Sequence, residues 1–171
     1  MRSDADEASA RGDIAAAGGG ALKLLVPLDG SAASQRALEY ALGLAAAHPA
    51  SGLVLLNVQT GDELGLWDPQ ARGDDERFAA ARRSQKVLRR PFETCRERHL
   101  RCEVRAEYGD AVAETIVRIA RETGADQIVM GARGLGRLRG LILGSVTTQV
   151  VHLADIPVTL VKARPRHRLN S

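Results

Sequence analysis

The chain has 171 residues, a formal net charge of +3, 44% apolar and 26% charged residues, a balance that fits one globular domain able to bury a core without staples. No apolar run approaches the length of a membrane span. With 3% aromatic residues, stacking platforms for single-stranded nucleic acid are not expected.

Residues 1–21 carry Asp4, Asp6, Glu7 and Asp13, a Gly18-Gly19-Gly20 run and no cleavable apolar segment. They read as a disordered leader or a tag remnant, not a signal peptide, and the chain is expected in the cytoplasm. Leu22 to Val26 is a short, nearly continuous apolar run, the pattern of a strand covered on both faces. Pro27-Leu-Asp-Gly-Ser31 stops it and offers Asp29 or Ser31 as the cap of a helix over 34–47. That helix has one apolar stripe: Ala37, Leu38, Ala41, Leu42 and Ala45. Leu53 to Val58 is a second buried strand, and 59–73, with Gly61, Gly65, Pro69 and Gly73, a long loop.

Asp74 to about His99 is polar and helical in propensity, but Pro91 predicts a kink or break. Cys102 to Tyr108 alternates by two, as a half-exposed strand near a sheet edge does. A helix follows over 110–122, with its stripe at Val112, Ile116, Ile119 and Ala120. Gln127 to Met130 is the fourth strand, Ser145 to Leu153 a helix and Pro157 to Val161 the fifth strand. Residues 164–171 are expected to form a flexible basic tail. Cys95 and Cys102, the two cysteines, form no CxxC motif and read as buried or half-buried thiols in a reducing compartment.

Alternating strands and helices predict an α/β fold, a mainly parallel sheet with helices on both faces. Ligands bind such sheets at the carboxyl ends of the strands, where strand order reverses. Two turns qualify: the one at Asp29, and the segment from Gly131 to Ser145, GARGLGRLRGLILGS, with five glycines and three arginines. Glycine lets main-chain amides approach a ligand, and a helix starting near Ser145 favours an anion at its N-terminus. Arg133, Arg137 and Arg139 add positive potential. The bland alternative is a solvated loop whose glycines only make turns. There is no GxxxxGK[ST], and the near match to GxGxxG follows the fourth strand instead of the first, which argues against a nicotinamide enzyme.

Gly131-x2-Gly134-x9-Gly144-Ser145 resembles the G-x2-G-x9-G-[ST] motif of the ATP-binding branch of the universal stress protein family. LVPLDGS at 25–31, LLNV at 55–58, GDAVAETIVRIARETGADQIVMGARG from Gly109 and IPVTLVK at the close are similar to that family's segments, so the resemblance covers residues 22–163. It implies a three-layer sandwich of the HUP (adenine nucleotide alpha hydrolase-like) kind, with five parallel strands in order 3-2-1-4-5 and a cleft where strands one and four part. It also implies ATP as ligand, with Mg²⁺ as a possible companion. Asp29, beside Pro27, would meet the ribose or the adenine edge, and the main chain of Val58 the adenine. Gly131, beside Met130, would contact the ribose. Gly134, Gly144, Ser145 and Val146 would hold the phosphates by main-chain amides, with the Ser145 hydroxyl assisting, Thr147 a weaker candidate, and Arg133 a candidate clamp. Asp29 and Ser145 have the alternative role of helix caps. Asn57 stands where the family often has histidine.

Phosphoryl transfer needs a positioned nucleophile or base as well as a cradle, and His48, His99, His152 and His167 are scattered with no recognisable Ser or Cys partner. A nucleotide-responsive regulatory module in stress adaptation is therefore expected before a slow ATPase or phosphotransferase. A nucleotide-free dimeric adaptor is a third reading. The resemblance further implies a homodimer through the strand at Val158–Val161; no membrane or nucleic-acid partner is expected.

Overall fold

The computed structural model describes residues 21–61, 74–132 and 143–162. The leader through residue 20, most of the 59–73 loop, Arg133, Gly134, Arg137, Arg139 and the 164–171 tail lie outside the described residues. The elements, in chain order, are β1 (Lys23–Pro27), α1 (Ala32–Ala47), β2 (Gly52–Gln59), α2 (Asp74–Glu97), β3 (Arg101–Tyr108), α3 (Val112–Thr123), β4 (Gln127–Gly131), α4 (Ser145–Leu153) and β5 (Val158–Val161). Five parallel strands form one sheet in the order β3-β2-β1-β4-β5, as expected.

The continuous apolar runs are explained by a core on each face of the sheet. Leu24 and Val26 of β1, Leu53 and Leu55 of β2, and Val129 of β4 pack with α1 and α2 residues. Their neighbours Leu25, Val54, Leu56, Ile128 and Met130 face α3 and α4 instead. Successive side chains point to opposite faces of a strand, so a strand covered on both sides must be apolar throughout. The α1 stripe at Ala37, Leu38, Ala41, Leu42 and Ala45 is wholly buried. Small side chains there let the helix lie close to the sheet. On α3, Ala113, Ile116, Val117, Ile119 and Ala120 are buried, and Gly124 ends the helix in the left-handed region at φ 62°.

The two edges of the sheet differ. β3 is the half-exposed edge its alternation predicted, and the face bearing Glu103, Arg105 and Glu107 is polar. Arg105 reaches Glu103 and Glu122 at 3.3 Å each, and Arg118 reaches Glu122 at 2.6 Å and Glu107 at 2.9 Å. β5, at the other edge, is apolar apart from Thr159. Among the described residues no helix is long and apolar enough to cross a membrane.

Of the kink or break expected at Pro91, the break does not occur: α2 is one helix from Asp74 to Glu97 with Pro91 inside it. Proline withholds its amide from the Val87 carbonyl and crowds that turn, at a cost of about 3 kcal/mol relative to alanine. Packing outweighs this cost. Ala80, Ser84, Leu88 and Cys95 are all buried, as is Pro91 itself, so both halves of the helix are held on the sheet along one line. Pro91→Ala is expected to raise stability by roughly 1 kcal/mol, the ~3 recovered in the helix less ~1.6 for two buried methylenes. Urea denaturation monitored by circular dichroism reads this as a higher midpoint at unchanged slope.

Candidate functional site

The site is built where β1 and β4 end side by side and the helices that follow them, α1 and α4, pack on opposite faces of the sheet. On the β1 side, the Leu28 amide donates to the Leu56 carbonyl at 2.7 Å, and Asn57 Nδ2 donates to the Leu28 carbonyl at 2.6 Å. Asn57 is 1% exposed. Its Oδ1 accepts from Gln59 Nε2 at 2.8 Å and from Ser84 Oγ of α2 at 2.7 Å. A buried amide with its donor and acceptor both used is a firm anchor, because breaking it strands several polar groups away from water. It fixes the turn that carries Asp29.

The next three residues settle which side chain caps α1. Ser31 is the cap: its Oγ accepts from the Ser34 amide at 3.1 Å, and Ser34 Oγ donates back to the Ser31 carbonyl at 3.0 Å. Asp29 braces the turn before the helix, Oδ1 accepting from the Ser31 amide at 2.9 Å. Gly30 between them has φ +82°, a conformation that favours glycine. Asp29 is half-buried at the rim, and Pro27 closes β1 half-buried beneath it.

On the β4 side, Gly131 is required by contact. A Cβ there would lie 2.7 Å from the Ala33 carbonyl carbon and 2.8 Å from its oxygen and Cβ. The end of β4 thus runs directly against the first turn of α1. Met130, just before it, is buried in the core facing α3 and α4. Thr147 Oγ1 donates to the Gly131 carbonyl at 3.2 Å and is buried. The Gly144 amide donates to the Ala132 carbonyl at 2.9 Å, and the Ala132 amide to the Val161 carbonyl at 3.1 Å. These bonds tether α4 to β4 at both ends of the 133–142 segment.

Gly144 is the N-cap of α4, so Ser145 is its first residue and not its cap. The first helical bond runs from the Thr148 amide to the Gly144 carbonyl at 2.9 Å. The amides of Ser145, Val146 and Thr147 therefore have no acceptor within the helix. They lie at the positive end of the helix dipole, and no acidic side chain occupies the first turn. Ser145 is exposed and Val146 half-buried. Arg133 and Gly134 of the expected site fall outside the described residues.

Val58 completes the rim. Leu56 directs its carbonyl towards β1, whereas Gln59 directs its own towards Gly109 after β3. Main-chain groups of alternate residues share a side, so Val58 turns its amide and carbonyl to the β1 side. The pairing of β2 with β1 ends at Pro27 and Leu56. Val58 thus extends beyond it, presenting a peptide edge where β1 has already turned away. What sequence reasoning missed is the Asn57 clamp with Gln59 and Ser84. Its trace is the polar pair in the otherwise apolar LVLLNVQ of β2.

Among the described residues no group of three or more His, Cys, Asp or Glu is placed to hold a metal ion. His48 Nδ1 lies 3.0 Å from the Leu44 carbonyl at the end of α1, at the amino-terminal end of the sheet, away from the rim.

Over residues 21–162 the chain matches the universal stress protein family. It is similar to universal stress protein YxiE of Bacillus subtilis (strain 168), 32% identical over 146 residues that span 82% of this chain and 98% of the relative. Among solved structures it resembles that of MJ0577 with a TM-score of 0.72 at 25% identity, covering 83% of this chain and 96% of that one. MJ0577 is a universal stress protein of Methanocaldococcus jannaschii. It also resembles a universal stress protein crystallised in complex with cAMP, with a TM-score of 0.60 at 26% identity, covering 84% of this chain and 98% of that one.

Asn57→Leu keeps the volume and removes every hydrogen bond of the clamp. Loss of about 2–4 kcal/mol is expected, since each stranded buried group costs about 1–3 kcal/mol and Ser84 and Gln59 recover part by turning away. Chemical denaturation of the variant beside the parent measures it.

Proposed function

The chain belongs to the universal stress protein family, and on that footing we propose that it is a cytoplasmic, ATP-binding regulatory module in stress adaptation. The observation that carries this reading is the first turn of α4. Its three amides without helical acceptors lie at the carboxyl end of the sheet, tethered to β4 and beside the turn that carries Asp29. A family structure in complex with cAMP supports an adenine nucleotide as the ligand class.

In this reading Asp29 accepts hydrogen bonds from the ribose hydroxyls, and the outward peptide edge of Val58 meets the adenine. The main chain at Gly131 lies under the ribose. Phosphate oxygens take the amides of Ser145 and Val146 with the Ser145 hydroxyl, together with Gly134 and the charge of Arg133. Gly144, whose amide is bonded to Ala132, turns the chain into α4. Thr147 spends its hydroxyl on Gly131 and positions the helix, with its amide left for the ligand. Any Mg²⁺ arrives with the triphosphate. Charge-assisted hydrogen bonds contribute about 1.5–3 kcal/mol each, so three or four reach the roughly 8 kcal/mol of micromolar affinity.

Calorimetric titration with ATP, GTP and AMP tests the site. ATP is expected to bind more tightly than GTP, with Asp29→Ala weakening ATP by about tenfold or more, the equivalent of one charge-assisted bond. No heat change at millimolar ATP would favour a nucleotide-free adaptor. In a single-turnover assay of γ-phosphate release, rates of about 10 per second or faster, the median scale of enzymes, would make it an enzyme rather than a switch.

The outer edge of β5 is the proposed dimer contact. The carbonyls of Pro157 and Val161 bond to β4 amides, so the main chain of Val158 and Leu160 faces away from β4 and is placed to pair with a twin strand. Exposed Val151 and Leu153 of the neighbouring α4 add apolar surface. Light scattering at micromolar concentration is expected to give twice the chain mass of 18.3 kDa; the single-chain mass contradicts the pairing.

A further inference from the structure

Among the described residues β3 ends the sheet, with β2 its only neighbour. The Gly109 amide donates to the Gln59 carbonyl at 3.0 Å, so Glu107, Arg105, Glu103 and Arg101 turn their main chain to β2 as well. The main chain of Cys102, Val104 and Ala106 therefore faces outward along the edge. The side chains divide in the same way. Arg105 and Glu107 meet Glu122 and Arg118 of α3, whereas Cys102 packs against the core under α1 and α2. On that second face Val104 and Tyr108 are 39% and 38% exposed, and Ala106 between them is exposed too.

The helix above widens this apolar strip. Val87 marks the flank of α2 towards the β1 turn, since a Cβ on Gly30 would lie 3.7 Å from it. At about 3.6 residues per turn, Phe92 and Phe78 fall on the opposite flank, towards the β3 edge. Both are exposed.

We propose that β3 pairs with the β3 of a second copy of this chain, antiparallel about a two-fold axis through Val104. The proposal rests neither on nucleotide binding nor on the β5 contact. Its basis is that the edge is complementary to itself. With Val104 opposite Val104, Glu103 stands opposite the twin's Arg105, and Arg101 opposite the twin's Glu107. The main chains of these four residues face β2, so they take the non-hydrogen-bonded positions, where opposed side chains are closest. Cys102 and Ala106 exchange main-chain hydrogen bonds across the join, as do the two Val104 residues. Sliding the twin by two residues either way sets Glu103 against Glu103 or Arg105 against Arg105, and like charges directly opposed repel. Charge thereby fixes the register. A charged edge turns away unrelated strands and admits the one that carries the inverse pattern. The axis stands normal to the sheet, so both α2 helices lie on one face and their Phe92 flanks face each other.

Hydrogen exchange read residue by residue on the full chain, from micromolar to near-millimolar concentration, tests the two sheet edges separately. The amides of Cys102, Val104 and Ala106 are expected to slow by about tenfold as concentration rises, whatever those of Val158 and Leu160 on β5 do. Light scattering is expected to show the mass double over the same range. Glu103→Arg, which opposes like charges at that pair, is expected to abolish both effects, and the exchanged pair E103R/R105E to restore them. In a mixture of isotope-labelled and unlabelled chains, contacts between Val104 and its twin are expected, and these identify the partner strand without any substitution. Exchange at these amides that is independent of concentration overturns the proposal. Slowing that survives Glu103→Arg, or that comes without the Val104 contact, assigns the edge to another strand and overturns it equally.

Discussion

The close approach of β4 to α1 organises the molecule. At Gly131 the strand runs so near Ala33 that even a methyl group would collide with main-chain atoms. Because of that contact, the end of β4 lies directly against the first turn of α1. Everything at the rim inherits its position from this. Thr147 reaches the Gly131 carbonyl, Gly144 reaches Ala132, and the first turn of α4 is thereby aimed along the line where the strand order reverses. A parallel sheet always offers helix N-termini and strand ends on one side; here hydrogen bonds hold the start of α4 to the end of β4.

Two kinds of force share the work. The cores on either face supply most of the stability, because each fully buried Leu or Ile is worth about 1.5–3 kcal/mol. The Asn57 clamp contributes position. It joins β2, the β1 turn and α2 through one side chain, and its value lies in the cost of breaking it. The ion pairs of Arg105 and Arg118 are of a third sort. Their side chains are a quarter to half exposed, so each is worth about 1 kcal/mol or less.

Their consequence lies at the edge. Charges along β3 discourage another strand from pairing there, whereas β5 carries no charge until Lys162. The two edges of the sheet therefore differ in charge, one lined by ion pairs and the other apolar.

The sequence by itself determined the succession of strands and helices. The strands were legible because burial on both faces demands mainly apolar runs, as in the LLVP of β1 and the LVLL of β2. The α1 stripe was legible because its period is that of a helix. Tertiary structure alone decided the continuity of α2 through Pro91, the choice of Ser31 over Asp29 as cap and the Asn57 clamp. The reason is one of range. Periodicity and turn chemistry act over a few residues, whereas Asn57 meets Ser84 across 27 positions and Gly131 meets Ala33 between different elements. Those distances exist only once the sheet has brought the chain back on itself.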